Sequence, residues 1–279
     1  MCKVWFITGA GRGIGAAIAR SALEAGHQVV ATGRHTEHLE NTFAPYGERV
    51  LCLPLDVTCE AQCAAAIVQA TDWFGRIDVL VNNAGYGQLG LFEEIPGPAI
   101  VDQFQTNVFG LMQVTRAALP QMRRQRSGHI VNIASIGGFR GFESSSIYCA
   151  AKFAVEGFSE SLALEVARFG IKVTIVEPGF FRTDFLDASS VRYGGAPIAD
   201  YDDPQGAARV GYEAWNHRQP GDPARLGQAL VKLAELDEPP LHFLAGSDAV
   251  TFFLDTFARR QSDVAKNILL SASTDFPPV

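Results

Sequence analysis

The chain has no long uncharged hydrophobic run. Apolar residues make up 47% of its 279 residues, yet no apolar stretch reaches the roughly 18 residues that a membrane-spanning helix needs. The first predicted strand begins at about Lys3, which leaves no room for the positive region, apolar stretch and cleavage site of a signal peptide. The sequence therefore predicts a protein without a membrane anchor that stays in the cytoplasm.

Cysteine and positive charge are also scarce. The five cysteines form an odd set without CxxC spacing, which favours small buried side chains in a reducing compartment over disulfides or a cysteine metal site. The six histidines have no metal-ligand spacing beyond a weak His35-x-x-His38 pair, so no metal site is predicted. A net charge of −7 disfavours non-specific nucleic-acid binding, which needs a basic face.

Short apolar segments alternate with longer helical patterns along the chain. The alternation predicts an α/β fold, with a parallel sheet and helices on both faces. Asp222 and Pro223 predict a helix start, with an N-cap followed by proline at the first helical position. The predicted strands are 4–8, 28–32, 50–55, 79–82, 130–134, 173–177 and 242–245, and the other predicted helices are 13–25, 60–74, 99–124, 147–169 and 249–270.

The segment 184–221 differs from this alternation. It contains glycine and proline at 194, 195, 197, 204 and 206 and an acidic stretch at 200–203, which predicts a long excursion with short helices. It follows the sixth predicted strand, at the sheet edge where such folds bind ligands. Long loops in compact domains are usually functional or disordered, and we expect a substrate lid here. No repeat or second domain is visible, so residues 1–279 are predicted to form one domain.

A glycine-rich turn follows the first predicted strand and opens a helix. It runs Thr8-Gly-Ala-Gly-Arg-Gly-Ile-Gly15, and in that position backbone N–H groups and the helix N-terminus can bind a dinucleotide pyrophosphate. Gly9 would make the turn, Gly13 and Gly15 would allow close approach, and Ile14 would pack beside the cofactor. The turn alone is weak evidence, because glycines also end strands for conformational reasons.

Tyr148 and Lys152 lie four residues apart in a predicted helix, so both stand on one face. An ammonium one turn away can lower the pKa of a phenol from its usual value of about 10 and let it exchange a proton with substrate. Ser135 ends the preceding predicted strand, where a small hydroxyl can hold the substrate oxygen.

These motifs, in this order, resemble the short-chain dehydrogenase/reductase family. The resemblance rests on the glycine turn with its Gly-x-x-x-Gly-x-Gly spacing, Asn82-Asn-Ala-Gly85, and the Ser135, Tyr148 and Lys152 set. It is dense from Lys3 to Thr183 and weaker from Asp222 to about Ala258. It implies a single doubly wound Rossmann domain whose seven-stranded parallel sheet has the order 3-2-1-4-5-6-7.

The resemblance also implies site residues. Asn107 matches the fourth member of the family's catalytic tetrad and would orient a water leading to Lys152, which would itself bind the nicotinamide ribose. Asp56 would bind the adenine amino group, with a strand-end cap as the alternative role, and Thr183 would bind the nicotinamide carboxamide. The cofactor-binding set is Gly9, Gly11, Arg12, Gly13, Ile14, Gly15, Arg34, Asp56, Val57, Asn83, Ala84, Gly85, Tyr148, Lys152, Pro178, Gly179, Phe181 and Thr183.

The residues after the second predicted strand favour NADP(H). An NAD enzyme would place a carboxylate there for the adenosine ribose, but the sequence is Ala31-Thr-Gly-Arg34. Arg34 and Arg12 could instead bind a 2′-phosphate, for which a guanidinium is well suited. NADP(H) is therefore the preferred cofactor, and NAD(H) stays possible.

The leading hypothesis is an NADPH-dependent carbonyl reductase, or in reverse an alcohol dehydrogenase, acting on a moderately large apolar substrate. The alternatives are a 3-oxoacyl thioester reductase, which the acidic 200–203 stretch disfavours, and a non-catalytic NADP(H)-sensing protein, which would usually lose the tyrosine or lysine. A homodimer or homotetramer is expected by resemblance, through helices 99–124 and 147–169. Substrate contacts are expected from Ser135, Tyr148, Tyr86, Phe142 and Phe185, with Phe139, Tyr193 and Trp215 as further aromatic candidates. Phe180 and Phe181 could flank the nicotinamide ring.

Overall fold

The computed structural model of the chain describes residues 2–188, 190–195, 198–201 and 207–276. Its centre is a seven-stranded sheet of order β3-β2-β1-β4-β5-β6-β7, in which every neighbouring pair is parallel. The predicted fold class and strand order are thereby confirmed. The strands are β1 (Val4–Ile7), β2 (Gln28–Gly33), β3 (Val50–Pro54), β4 (Val79–Asn82), β5 (Gly128–Ile133), β6 (Ile171–Pro178) and β7 (His242–Ala245).

Helices follow the strands and cover both faces of the sheet. A π-helical turn at Gln105–Gly110 joins α4 to α5, so the single helix predicted over 99–124 is a helical run with a widened turn inside it. The α-helices are α1 (Gly13–Glu24), α2 (Thr36–Phe43), α3 (Glu60–Phe74), α4 (Gly97–Phe104), α5 (Leu111–Gln125), α6 (Ser146–Val166), α7 (Ala207–Trp215), α8 (Pro223–Glu235) and α9 (Ser247–Ala272).

The two halves of the core follow from strand alternation. Successive side chains of a strand point to opposite faces, so Trp5 and Ile7 of β1 pack with α1, α2 and α8. Val4 and Phe6 pack on the other face with α3, α5 and α6. All four side chains are almost fully buried, and each contributes roughly 1.5–3 kcal/mol of burial free energy. This packing fixes the strand ends from which the functional loops leave.

The helix predicted at Asp222 is confirmed in its N-terminal detail. The Asp222 carboxylate accepts hydrogen bonds from the backbone N–H groups of Ala224 at 2.8 Å and Arg225 at 3.4 Å, and Pro223 occupies the first helical position. The five cysteines are free, but only Cys63 and Cys149 are buried. The expectation that most cysteines are buried is therefore wrong, because Cys2 is exposed before β1 and Cys52 in β3 and Cys59 at the start of α3 are only partly buried.

The segment 184–221 contains short elements where the structure describes it. Val191–Arg192 forms a two-residue strand parallel to Gly87–Gln88, single 3-10 turns lie at Asp184–Leu186 and Ala199–Tyr201, and α7 follows. The predicted breakers at 197, 204 and 206 and the acidic residues 202 and 203 lie outside the described residues. The described part of the segment thus runs beside the carboxyl end of β4 before it reaches α8.

Helix α9 extends away from the sheet. Of its residues only Ala249 is buried, and the apolar side chains of Leu254, Phe257, Val264 and Ile268 are all more than half exposed. Its first turns pack through Phe252 and Phe253 on the turn after β5. Within the described ranges, no helix combines the length and hydropathy that crossing a membrane requires.

Candidate active site

A cavity of about 1430 Å³ opens where β1 to β6 end at their carboxyl edge. It exceeds the roughly 300–1,000 Å³ of a typical small-ligand pocket, so it has room for a cofactor and a substrate together. Its lining includes these predicted site residues: Gly9, Gly11, Arg12, Gly13, Ile14, Arg34, Asp56, Val57, Asn83, Ala84, Gly85, Tyr86, Asn107, Ser135, Phe142, Tyr148, Lys152, Pro178, Gly179, Phe181, Thr183 and Phe185.

The glycine turn after β1 leads directly into α1. Gly9 and Gly13 have φ of +65° and +55°, a region that side chains rarely adopt, and a Cβ on Gly9 would stand 3.0 Å from the Cα of Ala84. Arg12, the N-cap of α1, gives no side-chain cap to the helix N-terminus. Gly13 and Ile14 of the first turn line the cavity, so the uncapped end of α1 borders it, as an anion site requires.

Gly15 does not line the cavity, in contrast to the role expected for it. It is buried, and a Cβ there would collide with the Asn83 amide and the Gly9 carbonyl. The glycine is needed because α1 packs against the segment after β4, and not because a ligand comes close.

The Thr8 hydroxyl, for which the sequence motifs predict no role, joins the glycine turn to the end of β4. Thr8 Oγ1 accepts hydrogen bonds from the backbone N–H groups of Asn83 at 2.9 Å and Ala84 at 3.0 Å. The Asn83 side chain donates in turn to the carbonyl oxygens of Thr8 and Gly9, both at 3.0 Å. These bonds fix the floor of the cavity between β1 and β4, which is the switch point of a doubly wound sheet.

The end of β2 brings basic side chains to the cavity. Arg34, His35 and His38 follow β2 and line it together with Arg12 from the glycine turn, and Arg12 and Arg34 are exposed. His38 Nε2 lies 2.9 Å from the carbonyl oxygen of Gly11, and because a carbonyl only accepts, that nitrogen carries the proton. The cluster is well suited to a phosphate.

Asp56 fits both of the interpretations left open for it. It lines the cavity after β3, and its Oδ1 accepts hydrogen bonds from the N–H of Thr58 at 2.9 Å and from the Thr58 hydroxyl at 2.7 Å. The carboxylate thus caps the turn and still borders the cavity.

Ser135, Tyr148 and Lys152 meet at one side of the cavity. Ser135 follows β5 and its Oγ accepts from the N–H of Gly137 at 3.0 Å. Lys152 donates to the carbonyl oxygen of Ile133 at 2.7 Å, and its Nζ lies 5.8 Å from the centroid of the Tyr148 ring. The end of β5 therefore holds both the hydroxyl and the ammonium beside the phenol.

Burial has the largest effect on the pKa values of Tyr148 and Lys152. It raises the pKa of Tyr148 to about 12, with a hydrogen bond to Ser135 acting in the opposite direction. Burial lowers the pKa of Lys152 to about 8, although the nearby Glu156 carboxylate acts to raise it. The pKa of Tyr148 thus lies above its usual value and not below it as expected, because desolvation disfavours the charged phenolate.

Asn107 lies in the π-helical turn, a distortion often found at functional sites. Its Nδ2 donates to the carbonyl oxygen of Tyr86 at 2.9 Å, and its Oδ1 accepts from the N–H of Tyr86 at 3.1 Å. The side chain therefore holds the segment after β4 in place. Its expected action on a water near Lys152 stays a prediction.

Aromatic side chains form one wall of the cavity beside Tyr148. The Tyr148 and Phe185 ring centroids are 5.7 Å apart, and Trp215 of α7 packs on Phe180 at 6.0 Å. Tyr212 of α7 also lines the cavity, and its hydroxyl is 2.8 Å from Ser145 Oγ. The segment that carries α7 is thereby joined to the start of α6.

Two aromatic candidates lie away from the cavity lining. Phe139 is buried and packs edge-to-face on Phe253 of α9 at 5.3 Å, and Tyr193 also lies outside the lining. The expectation for Phe139 is wrong because the turn after β5 directs its ring toward α9.

A family model described as short chain dehydrogenase matches residues 3–193, more than half of the chain. The chain belongs to the short-chain dehydrogenase family. It is 41% identical over 254 residues to Oxidoreductase BOA17 of Botryotinia fuckeliana (strain B05.10), across 90% of this chain and 92% of that protein. It is 38% identical over 244 residues to 3-ketodihydrosphingosine reductase of Bacteroides thetaiotaomicron, across 88% of each.

Solved structures support the same assignment. A short-chain dehydrogenase from Streptomyces avermitilis has a TM-score of 0.91 and 40% identity, across 99% of this chain and 100% of that one. A structure described as ElxO with NADP bound has a TM-score of 0.75 and 30% identity, across 90% of this chain and 100% of that one. This short-chain dehydrogenase is therefore an oxidoreductase.

Proposed function

We propose that this short-chain dehydrogenase is an NADPH-dependent carbonyl reductase, or in reverse an alcohol dehydrogenase, for a moderately large apolar ketone or secondary alcohol. The observation that carries the proposal is that Ser135, Tyr148 and Lys152 share one cavity with the glycine turn. A proton-exchanging group beside a dinucleotide cradle suits the transfer of a proton and a hydride to the two atoms of a carbonyl.

The basic side chains from the loops after β1 and β2 support NADP(H) over NAD(H). Arg12, Arg34, His35 and His38 line this part of the cavity, and its described lining after β2 holds no carboxylate that would repel a 2′-phosphate. The related protein ElxO has NADP bound in its structure. NAD(H) stays possible as a weaker ligand.

The segment after β6 would hold the nicotinamide. Pro178, Gly179, Phe181 and Thr183 line the cavity. Thr183 lies close to the glycine turn, because a Cβ added at Gly13 would be 3.5 Å from the Thr183 Cβ. When bound, the nicotinamide supplies or accepts the hydride.

Tyr148 would deliver the proton in ketone reduction. Its raised pKa of about 12 keeps the phenol protonated, Ser135 would hold the substrate oxygen, and the Ile133 carbonyl keeps Lys152 beside the ring. In alcohol oxidation the phenol must lose its proton, which positive charge next to the ring favours.

The aromatic wall supports an apolar substrate. Tyr86, Phe142, Phe180, Phe185 and Trp215 all border the cavity near Tyr148. The name of one relative, 3-ketodihydrosphingosine reductase, refers to a ketone on a long apolar chain. We further propose that residues 184–221 form a lid over this substrate, because Phe185, Tyr212 and Trp215 come from that segment.

A substrate panel tests the proposal. Purified protein is assayed for oxidation of NADPH and of NADH with long-chain ketones, aromatic ketones and 3-oxoacyl thioesters. We expect ketone turnover with NADPH and little with NADH. A preference for thioesters would favour the 3-oxoacyl reductase alternative. Tight NADPH binding without turnover of any compound would favour the non-catalytic sensor.

We also propose a homodimer or homotetramer built through α4, α5 and α6. Large apolar side chains stand exposed on this run, namely Val101, Phe109, Phe153 and Leu164, and closed symmetric assemblies bury such patches. Light scattering on the purified protein measures the assembly mass, and a monomer at micromolar concentration would contradict this part of the proposal.

A further inference from the structure

Three side chains that the proposed reaction does not use converge behind Lys152. Glu156 comes from α6, Glu177 from β6 and His242 from β7, and one ligand atom of each lies within 4.8 Å of the others. His242 Nδ1 is 3.4 Å from Glu177 Oε1 and 3.8 Å from Glu156 Oε2. Three elements thus bring two carboxylates and an imidazole to one point.

The two carboxylates are buried without sufficient partners. Glu177 is 1% exposed and Glu156 is 8% exposed, and Oε2 of Glu177 and Oε1 of Glu156 have no hydrogen-bond partner. Buried charges are normally paired or bound to a metal. The Lys152 ammonium attracts Glu156 but donates its hydrogen bond to the Ile133 carbonyl, so two buried carboxylates share one buried positive charge.

His242 is oriented as a metal-binding histidine would be. Its Nδ1 faces the two buried carboxylates, while its Nε2 lies 3.6 Å from Glu160 Oε1 on the outer side. A carboxylate on the second ring nitrogen is the usual outer partner of a ligating histidine. The His242 side chain is 41% exposed, so an ion and its remaining water ligands could enter from this side.

We propose that Glu156, Glu177 and His242 bind one divalent transition-metal ion of the zinc class. Mixed carboxylate and imidazole ligands suit Zn²⁺ or Co²⁺, whereas Mg²⁺ and Ca²⁺ prefer oxygen ligands alone. Donor atoms on one Zn²⁺ lie roughly 3–3.5 Å apart at normal bond lengths, so the observed separations need only small side-chain movements.

The ion has a structural role in this site. Glu156 lies one helical turn beyond Lys152 on α6, and Glu177 immediately precedes the Pro178-Gly179 segment. A bound ion ties α6 to β6 and β7 and neutralises the buried carboxylates. The sequence analysis predicted no metal site because the three ligands are far apart in the chain and share no motif.

Metal titration of the full chain tests the site without substrate, so it stands apart from the proposed reaction. The protein is stripped with EDTA, dialysed, and titrated calorimetrically with ZnCl₂ and spectroscopically with CoCl₂. We expect one ion per chain, a visible Co²⁺ absorption from the mixed ligand set, and a higher midpoint of thermal unfolding with the ion bound.

Variants identify the ligands. His242→Ala should weaken Zn²⁺ binding at least about tenfold, as even the loss of an outer partner does, and should abolish the thermal shift. His217→Ala is the matched control, because His217 is an exposed histidine 3.2 Å from a single carboxylate, that of Asp187. No binding to the wild-type chain, or equal affinity in His242→Ala, overturns the proposal. His242 is half exposed, so its variant should fold even if Glu177→Gln does not.

Discussion

Replacing Tyr148 by phenylalanine separates proton transfer from binding. The Tyr148 ring packs on Phe185 at 5.7 Å, and its hydroxyl has a hydrogen bond with Ser135. The variant keeps the ring and that packing and removes only the hydroxyl. The free energy of unfolding should therefore fall by no more than about 0.5–1.5 kcal/mol, the net value of one hydrogen bond.

The expected loss in turnover is much larger. A positioned acid contributes about two to four orders of magnitude, which corresponds to a barrier about 3–5 kcal/mol higher at 1.36 kcal/mol per tenfold change in rate. Ser135 and Lys152 cannot replace the phenol, because the hydroxyl of Ser135 is a weaker acid and Lys152 Nζ is held by the Ile133 carbonyl.

Two measurements on one preparation decide the outcome. NADPH affinity is measured by fluorescence titration, and reduction is measured in a single turnover with a ketone found active in the panel. Tyr46→Phe is the matched control, because Tyr46 packs on Phe43 away from the cavity. Near-normal single-turnover rates in Tyr148→Phe, with the protein folded, would refute the assignment of the proton donor.

Three further predictions concern the cofactor, the lid and pH. Arg34→Asp should weaken NADPH binding by about 1.5–3 kcal/mol or more, while Arg20→Asp, at an exposed position of α1, should leave it unchanged. Unchanged NADPH affinity in Arg34→Asp, or tighter binding of NADH than of NADPH by the wild type, would contradict the proposed cofactor preference. Limited proteolysis should cut first within 184–221, and cofactor with a turned-over substrate should protect this segment; cutting that ligands do not slow would exclude a closing lid. Burial lowers the pKa of His129 to about 4, so the unfolded chain takes up a proton near pH 6.5 and the folded chain does not. Stability should therefore fall by about 3 kcal/mol between pH 6.5 and 4, and His129→Gln, which can still donate to Thr174, should remove this slope in denaturant titrations.

Much of the fold could be predicted because its signals are local. The buried strands are short apolar runs bounded by turn residues, and the Asp222-Pro223 start of α8 needs only neighbouring residues. Helix α2 was missed, since it has eight residues and buries only Leu39 and Phe43, too few for a periodic pattern. The π-helical turn before α5 was also missed, because its local sequence does not differ from that of an ordinary helix.

The candidate site could be predicted only where its residues form motifs. Gly9 and Gly13 line the cavity in the positive-φ turn that their spacing suggests. Gly15 and Phe139 have other surroundings, because what a side chain contacts depends on elements distant in the chain, here β4 and α9. His38 likewise lines the cavity next to Gly11 only because α2 packs against the glycine turn.

The hydrogen bond from Lys152 to the Ile133 carbonyl has a consequence for protein engineering. Ser135 and the carbonyl that fixes Lys152 are both at the end of β5, and Tyr148 and Lys152 share α6. The three groups proposed to react are therefore one transplantable unit, β5 with α6. Moving the three side chains alone to another scaffold would leave the ammonium without the carbonyl that holds it. The aromatic wall comes instead mostly from the chain after β6, so substrate range can diverge there while the chemistry is inherited unchanged.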